Sequence, residues 1–313
     1  MNNHFKRVTA AAMCCMLLAG CQTYGAFAEE TAVSEEVSVS TVTVESQTLG
    51  MEKLSNARQL GGYITEDGMR VKSNVLLRSG KLSAASEADL QKLHDEYNVT
   101  EIIDLRTTDE IASAPDPEVE GAVNVRVQVI DENSDSSAAA MTAIYTNSDN
   151  PAAALIEMYR AGTLSDSMYI DIFDSEAGLT GYRAFVDELL NHEEGAILWH
   201  CTGGKDRAGT AAVVILTLLG VDKETVLDDF ELTNQFNATS IEYMKSKAAE
   251  LTDNEDEING VATLTGVSRQ LMENLFDYAE AESGSMLEFL KAKLNITDDE
   301  IATLRNKYLE SAE

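Results

Sequence analysis

The stretch Ala196–Thr210, AILWHCTGGKDRAGT, constrains the fold of this chain more than any other. It opens on a short apolar run, Ala196–Trp199, of the length and character of a buried strand. HCTGGKDR follows, with Cys201 and Arg207 six positions apart. Ala208–Leu219, AGTAAVVILTLL, then predicts a buried helix that Gly220 stops.

The order strand, tight glycine loop, helix has chemical consequences. Amides of a loop that feeds a helix converge on one spot, and the helix dipole favours an anion there. Gly203 and Gly204 let the backbone curl, and a Cβ at either would crowd a ligand. Thr202, Gly203, Gly204, Lys205, Asp206 and Arg207 are therefore the expected anion-binding residues. Arg207 offers a planar fork that matches phosphate oxygens. Cys201 would lie at the floor of this positive cup, where a thiolate is favoured and acts as a nucleophile toward phosphorus.

Outward from that stretch, strands alternate with helices, the pattern of an α/β sheet whose strands feed a site at their carboxyl ends. Ser86–Tyr97 reads as a helix with Ser86 and Asp89 at its start. Val99–Leu105, VTEIIDL, is a strand, and Gly121–Ile130 carries a β pattern that ends at Asp131. Residues 131–150 are small and polar and read as a mobile flap beside the site. Pro151–Gly162 has helical periodicity. Tyr182, Phe185, Val186, Leu189 and Leu190 line one face of a helix over 181–191. Lys223–Leu232 is helical, residues 238–282 suggest two acidic surface helices, and Ser285/Glu288 and Thr297/Glu300 open the last helices.

HCTGGKDRAGT resembles the H-C-x5-R loop of the cysteine-dependent phosphatases, of the tyrosine, dual-specificity and phosphoinositide types. A bare C-x5-R is common by chance. His200, the glycines, Gly209-Thr210, the strand before and the helix after make it specific. Asn56–Tyr63, NARQLGGY, is similar to the N-F-R-D-L-G-G-Y motif of a bacterial branch of these enzymes. Arg78–Ser83 resembles its R-S-G-x-L-S, Asp104-Leu105-Arg106 its D-L-R, and Phe230–Asn234 its Y-L-x-S/T-N. The resemblance runs from about residue 51 to 310 and includes a similar closing motif near 294–301.

The resemblance implies an α/β, tyrosine-phosphatase-like fold: a central mixed or parallel sheet flanked by helices. It implies a phosphomonoester phosphatase that needs no cofactor. Cys201 would attack phosphorus, Arg207 and the loop would hold the phosphoryl oxygens, an aspartate would protonate the leaving oxygen, and water would release phosphate. The implied substrates are phosphorylated proteins, phosphotyrosine above all, and phosphoinositides. Two aspartates compete as the acid, and Asp131 is the favoured one, with Asp206 in a structural or water-orienting role. Asp131 stands where the resemblance puts a mobile aspartate, and Asp206 stands in the loop as in myotubularin-type phosphatases. Lys205 matches the phosphoinositide-type C-x-x-G-K-x-R loop and would meet a second phosphate, or else pair with an acidic neighbour. His200 supports the thiolate, Asp104 is a structural hydrogen-bond partner, and Thr210 backs the loop. Arg58 and Arg78 face the phosphate or brace loops. The rivals are a rhodanese-like sulfurtransferase and a surface protein that binds phospho-ligands without turnover.

The chain has 54 acidic and 23 basic residues, a formal net charge of −31, which argues against nucleic acid as a partner. Oligomeric state is not readable. No metal site is suggested: His200 beside Cys201 lacks ligand spacing, and His4, His94 and His192 are scattered. At the N-terminus, Lys6 and Arg7 precede the mostly apolar Val8–Leu18, too short for a permanent span. Leu18-Ala19-Gly20-Cys21 resembles a bacterial lipobox, whose cysteine is diacylated; Ala26-Phe27-Ala28 is a competing site of plain secretion. The expected organisation is a signal peptide over 1–20, a tether over 21–50 behind lipidated Cys21, and a phosphatase domain over 51–313 with a helical C-terminal part. The protein would then be exported and anchored to a membrane, or else secreted. Of four cysteines, Cys14, Cys15, Cys21 and Cys201, only Cys201 would remain a free thiol.

Overall fold

Residue by residue, the computed structural model describes 43–134, 137–162 and 165–312. The expected signal peptide over 1–20, Cys21 and the expected secretion site at Ala26–Ala28 lie outside the described residues. The first element, α1 (Val44–Gln47), is capped by Thr43. Gln47 and Leu49 are buried, so the packed chain reaches back past residue 51. Three short strands follow, β1 (Arg58–Gln59), β2 (Met69–Val71) and β3 (Leu76–Ser79). Then come α2 (Glu87–Asp95), which opens on the Ser86–Asp89 capping box, β4 (Val99–Asp104), α3 (Thr108–Ser113) and β5 (Val123–Arg126). Of the β pattern over 121–130, only four residues pair.

The polar stretch read as a flap contains a helix, α4 (Ser137–Asn147). Its three consecutive alanines are strong helix formers, and Ala139 and Met141 are buried. The helices α5 (Pro151–Arg160), α6 (Met168–Phe173) and α7 (Glu176–Asn191) lead to β6 (Ala196–His200) and α8 (Asp206–Leu219). α8 starts two residues earlier than its apolar run, which puts Asp206 and Arg207 in its first turn; Gly220 closes it at φ 87°. Next is α9 (Lys223–Phe236). Residues 238–282 then form three helices rather than two: α10 (Ala238–Ala249), α11 (Glu255–Thr265) and α12 (Arg269–Ser283). α13 (Met286–Leu294), α14 (Asp298–Tyr308) and β7 (Leu309–Ser311) end the chain. β7 pairs antiparallel with β2.

The main sheet runs β1–β3–β6–β4–β5. β1 is antiparallel to β3, and the other pairs are parallel. β6 is central and buried along its whole length, as its apolar run requires. Side chains alternate across it. Ile197 and Trp199 enter a large core with α7, α8, α9, α12 and α13, whereas Ala196 and Leu198 join a second core with Leu77, Leu93 and Ile102 on the other face. The architecture is thus α/β, a mixed sheet flanked by helices. Ser79, His200 and Asp104 stand side by side in register. The loops leaving β3, β6 and β4 therefore meet at one edge.

Candidate active site

Cys201 leaves the end of β6 and is buried, 2% exposed. Trp199 ties strand to helix, its indole N–H donating to the Ala208 carbonyl at 3.0 Å. The loop between them is held from outside by its carbonyls. Thr202 O accepts from Lys81 N at 3.1 Å. Gly204 O accepts from Asn56 Nδ2 at 2.7 Å and Arg78 Nη2 at 2.8 Å. Lys205 O accepts from Arg78 Nη2 at 3.3 Å. In a trans peptide the N–H points opposite to the C=O, so carbonyls tied outward leave the loop amides turned inward. Gly204 is at φ +64°, and a Cβ there would lie 2.5 Å from the Ser79 carbonyl. Gly203 is different: a Cβ would come no nearer than 3.5 Å, to the Lys205 stem. Of these two loop positions, only 204 requires glycine.

Arg58 and Arg78 are braces. Both guanidiniums are fully buried and converge on Asp229 of α9. Asp229 also accepts from Tyr63 at 2.9 Å. Burial would raise the Asp229 carboxyl, but the two arginine charges outweigh it and hold it low. Arg58 also donates to Asn56, which turns the Asn56 amide onto Gly204.

Arg207 is set by a residue that sequence reasoning missed. Glu110, in the first turn of α3, accepts from Arg207 Nη1 at 2.5 Å and Nη2 at 2.7 Å. It also takes the Thr202 hydroxyl and, at 2.9 Å, the Thr107 amide. Burial pushes this carboxyl up; Arg207, Thr202 and Thr107 outweigh it and hold it at about 2. Its signal in the sequence was the T-x-x-E capping box at Thr107–Glu110 just after D-L-R.

Below Cys201, His200 is fully buried, with Nε2 3.1 Å from Asp116 and Nδ1 3.9 Å from Asp104. Arg106 grips Asp104 at 2.9 and 2.8 Å and reaches Asp116 at 2.5 Å. Asp104 is a brace for Arg106. Among the described residues, Asp104, Asp116 and His200 are the grouping of ligand-type side chains close enough to share a cation, but the Arg106 guanidinium already lies against both carboxylates. Thr210 is buried and bonds back to the Asp206 carbonyl at 3.0 Å.

Cys201, Thr202, Gly203, Lys205, Asp206, Arg207 and Glu110 line one cavity of about 180 Å³. Ile130, Met141, Met168 and Ile172 give it an apolar side. Asp206 accepts from the Tyr169 hydroxyl at 2.9 Å, and burial first, then the charge of Asp206, keeps that phenol protonated far above its usual range. Asp131 is exposed and takes the Asn133 amide at 2.9 Å. It lines a neighbouring open cleft of about 900 Å³, not the Cys201 cavity. The Lys205 ammonium, expected at a second phosphate or on an acidic neighbour, donates to the carbonyls of Leu264 at 2.7 Å and Gly266 at 3.0 Å and pairs with Asp206 at 3.4 Å.

Comparison with known proteins bears on this arrangement. A provisionally named tyrosine-protein phosphatase of Cupriavidus necator is 28% identical over 271 residues, 83% of this chain and 88% of its own. A tyrosine-protein phosphatase of Nostoc commune is 31% identical over 55 residues, 18% of this chain and 19% of its own. Among solved structures, PTPMT1 in complex with PI(5)P covers 65% of this chain and 96% of its own at 10% identity; its TM-score of 0.26 is too low to carry an argument. The model of the tyrosine phosphatase family matches residues 49–310. That span takes in both glycine loops, every brace of the Cys201 cavity and the C-terminal helices, and the chain belongs to the tyrosine phosphatase family as a hydrolase of the protein-tyrosine-phosphatase type.

Proposed function

We propose that this protein hydrolyses phosphotyrosine in proteins through a cysteinyl-phosphate on Cys201. The observation that carries the reading is the convergence of Cys201, a fixed Arg207 and an outward-tied loop on one cavity of about 180 Å³. Its apolar side suits an aromatic ring. The thiolate sulfur attacks phosphorus, a P–S bond forms, and the ester P–O bond breaks as a carboxylic acid gives its proton to the leaving oxygen. Water then attacks phosphorus, the P–S bond breaks, and the carboxylate takes up the water's proton. Arg207 and the amides of 202–207 hold the phosphoryl oxygens, so positioning and electrostatics supply most of the rate. Asp206 fits the acid better than Asp131, because it lines the cavity that Cys201 lines. The resemblance keeps phosphoinositides within the proposed range, while the added support sought from Lys205 is weakened, because its ammonium is bound to two carbonyls.

Phosphate release from a chromogenic aryl monoester tests this reading. The wild type should turn over, and Cys201→Ser should lose at least roughly a thousandfold while still binding orthovanadate. Binding without release by the wild type would favour a phospho-ligand receptor, and sulfur transfer from thiosulfate a sulfurtransferase. We propose further that residues 1–20 are an export signal. Cys21 is then the lipidated first residue, and the stretch after it tethers the phosphatase domain to a membrane. The lipobox and the charged, apolar leader support this.

A further inference from the structure

Lys205 sits in the proposed phosphate loop, yet its ammonium is held by backbone carbonyls of another element. It is 7% exposed. Two of its hydrogens go to the carbonyls of Leu264 and Gly266, at the C-terminal end of α11, and Asp206 stands 3.4 Å away. That end needs a cation. Its cap residue, Gly266, has φ −84°, so the helix does not close in the left-handed conformation that usually satisfies the last carbonyls. A lysine there serves both the unpaired carbonyls and the negative end of the dipole.

α11 belongs to a small core of its own. Leu264 and Val261 pack with Leu155, Ile156 and Met158 of α5 and Ala248 of α10. This cluster is separate from both cores that sandwich the sheet. Thr265 and Ser240, from α11 and α10, also line the Cys201 cavity. Asn234 makes a second tie just beyond, with Nδ2 donating to Val267 O at 3.0 Å and Oδ1 accepting from Val267 N at 2.8 Å. A unit with a small private core opens more readily than the sheet it rests on.

We propose that Lys205 is a positioning residue: by capping α11 it latches the α5–α10–α11 bundle to the phosphate loop and does not select substrates by a second phosphate. This rests on reading 201–207 as the phosphate loop. The latch couples the two parts in both directions. An anion that orders the loop steadies the bundle, and a loosened bundle frees Lys205 and Asp206.

Amide hydrogen exchange on the full-length protein, with and without orthovanadate, tests the latch together with Lys205→Met and Lys205→Arg. In the wild type, orthovanadate should slow exchange over 201–207 and also over 255–267. In Lys205→Met, exchange over 255–267 should rise about tenfold, the loss of a charge-assisted hydrogen bond, and should no longer respond to orthovanadate. β6 should be unchanged, and Lys205→Arg should restore part of the protection. Lys205→Met should also lose activity by the same factor on a phosphotyrosine peptide and on an inositol bisphosphate lipid. Protection of 201–207 without any effect on 255–267 in the wild type overturns the latch even if Lys205→Met does not fold. A loss confined to the bisphosphate, with exchange unaltered, overturns it too. No protection of 201–207 at all would instead sink the phosphate-loop reading.

Discussion

Ile130 and Ile172 line both the Cys201 cavity and the neighbouring cleft, and the two competing aspartates fall on different sides. Asp206 shares the cavity of Cys201; Asp131 lies in the cleft. A general acid contributes roughly 10²–10⁴-fold, and most where the leaving group is poor. Asp206→Asn should therefore slow a tyrosyl or alkyl phosphate by about a hundredfold and an activated nitrophenyl ester far less. Asp131→Asn should leave that ratio unchanged. A selective loss in Asp131→Asn alone reverses the assignment. Cys201 and Arg207 were legible because strand, loop and helix place them within seven residues of one another, whereas the acid was read as Asp131, and only the cavity linings favour Asp206. Glu110, 97 residues from Arg207, was not. Nothing local distinguishes a carboxylate that only caps its own helix from one that also grips a distant arginine.

Among the elements, β4, α7 and α14 meet at a point away from the site, where Glu101 of β4 faces Glu188 of α7. Glu101 Oε1 is buried without a hydrogen-bond partner. Burial first, then the charge of Glu188, pushes the Glu101 carboxyl up to about 7 from the usual 4.5, with Lys307 opposing. The folded chain thus holds this proton more tightly than the unfolded chain does. Stability from it is complete below the ordinary carboxyl range and is lost as pH rises through about 7. Glu101→Gln should match the wild type in urea unfolding at about pH 4, below the ordinary carboxyl value. At pH 8 it should exceed the wild type by on the order of 1 kcal/mol, discounted because the group is only part-buried. Equal stability at both pH values would contradict this account. The same scale explains the misread elements. Residues 131–150 carry few large apolar groups, so the flap reading missed a helix whose contacts come from Ala139 and Met141. β7 has three residues and exists through its pairing with β2, more than two hundred positions earlier, which no local pattern announces.

For the whole molecule, a net charge of −31 and the lipobox-like Leu18-Ala19-Gly20-Cys21 bear on where it is proposed to work. No helix among the described residues is long and apolar enough to cross a membrane. The anchor proposed from the lipobox is the lipid on Cys21. Cys21→Ala should move the protein from the membrane fraction to the soluble one, and mass spectrometry of the mature N-terminus should find a diacylated Cys21. An unmodified N-terminus at Glu29 would favour plain secretion. The sequence by itself determined the α/β class, the strand–loop–helix at 196–219 and the choice of Cys201 and Arg207 as the proposed nucleophile and phosphate clamp, because each depends on neighbours within a few turns of chain. Only the tertiary structure decided that Arg58 and Arg78 brace Asp229, that Glu110 fixes Arg207, that Lys205 turns to α11, and which aspartate shares the cavity. Those roles depend on which partner stands opposite a side chain, and burial makes each such pairing obligatory: a charge removed from water must meet its counterpart wherever along the chain that lies.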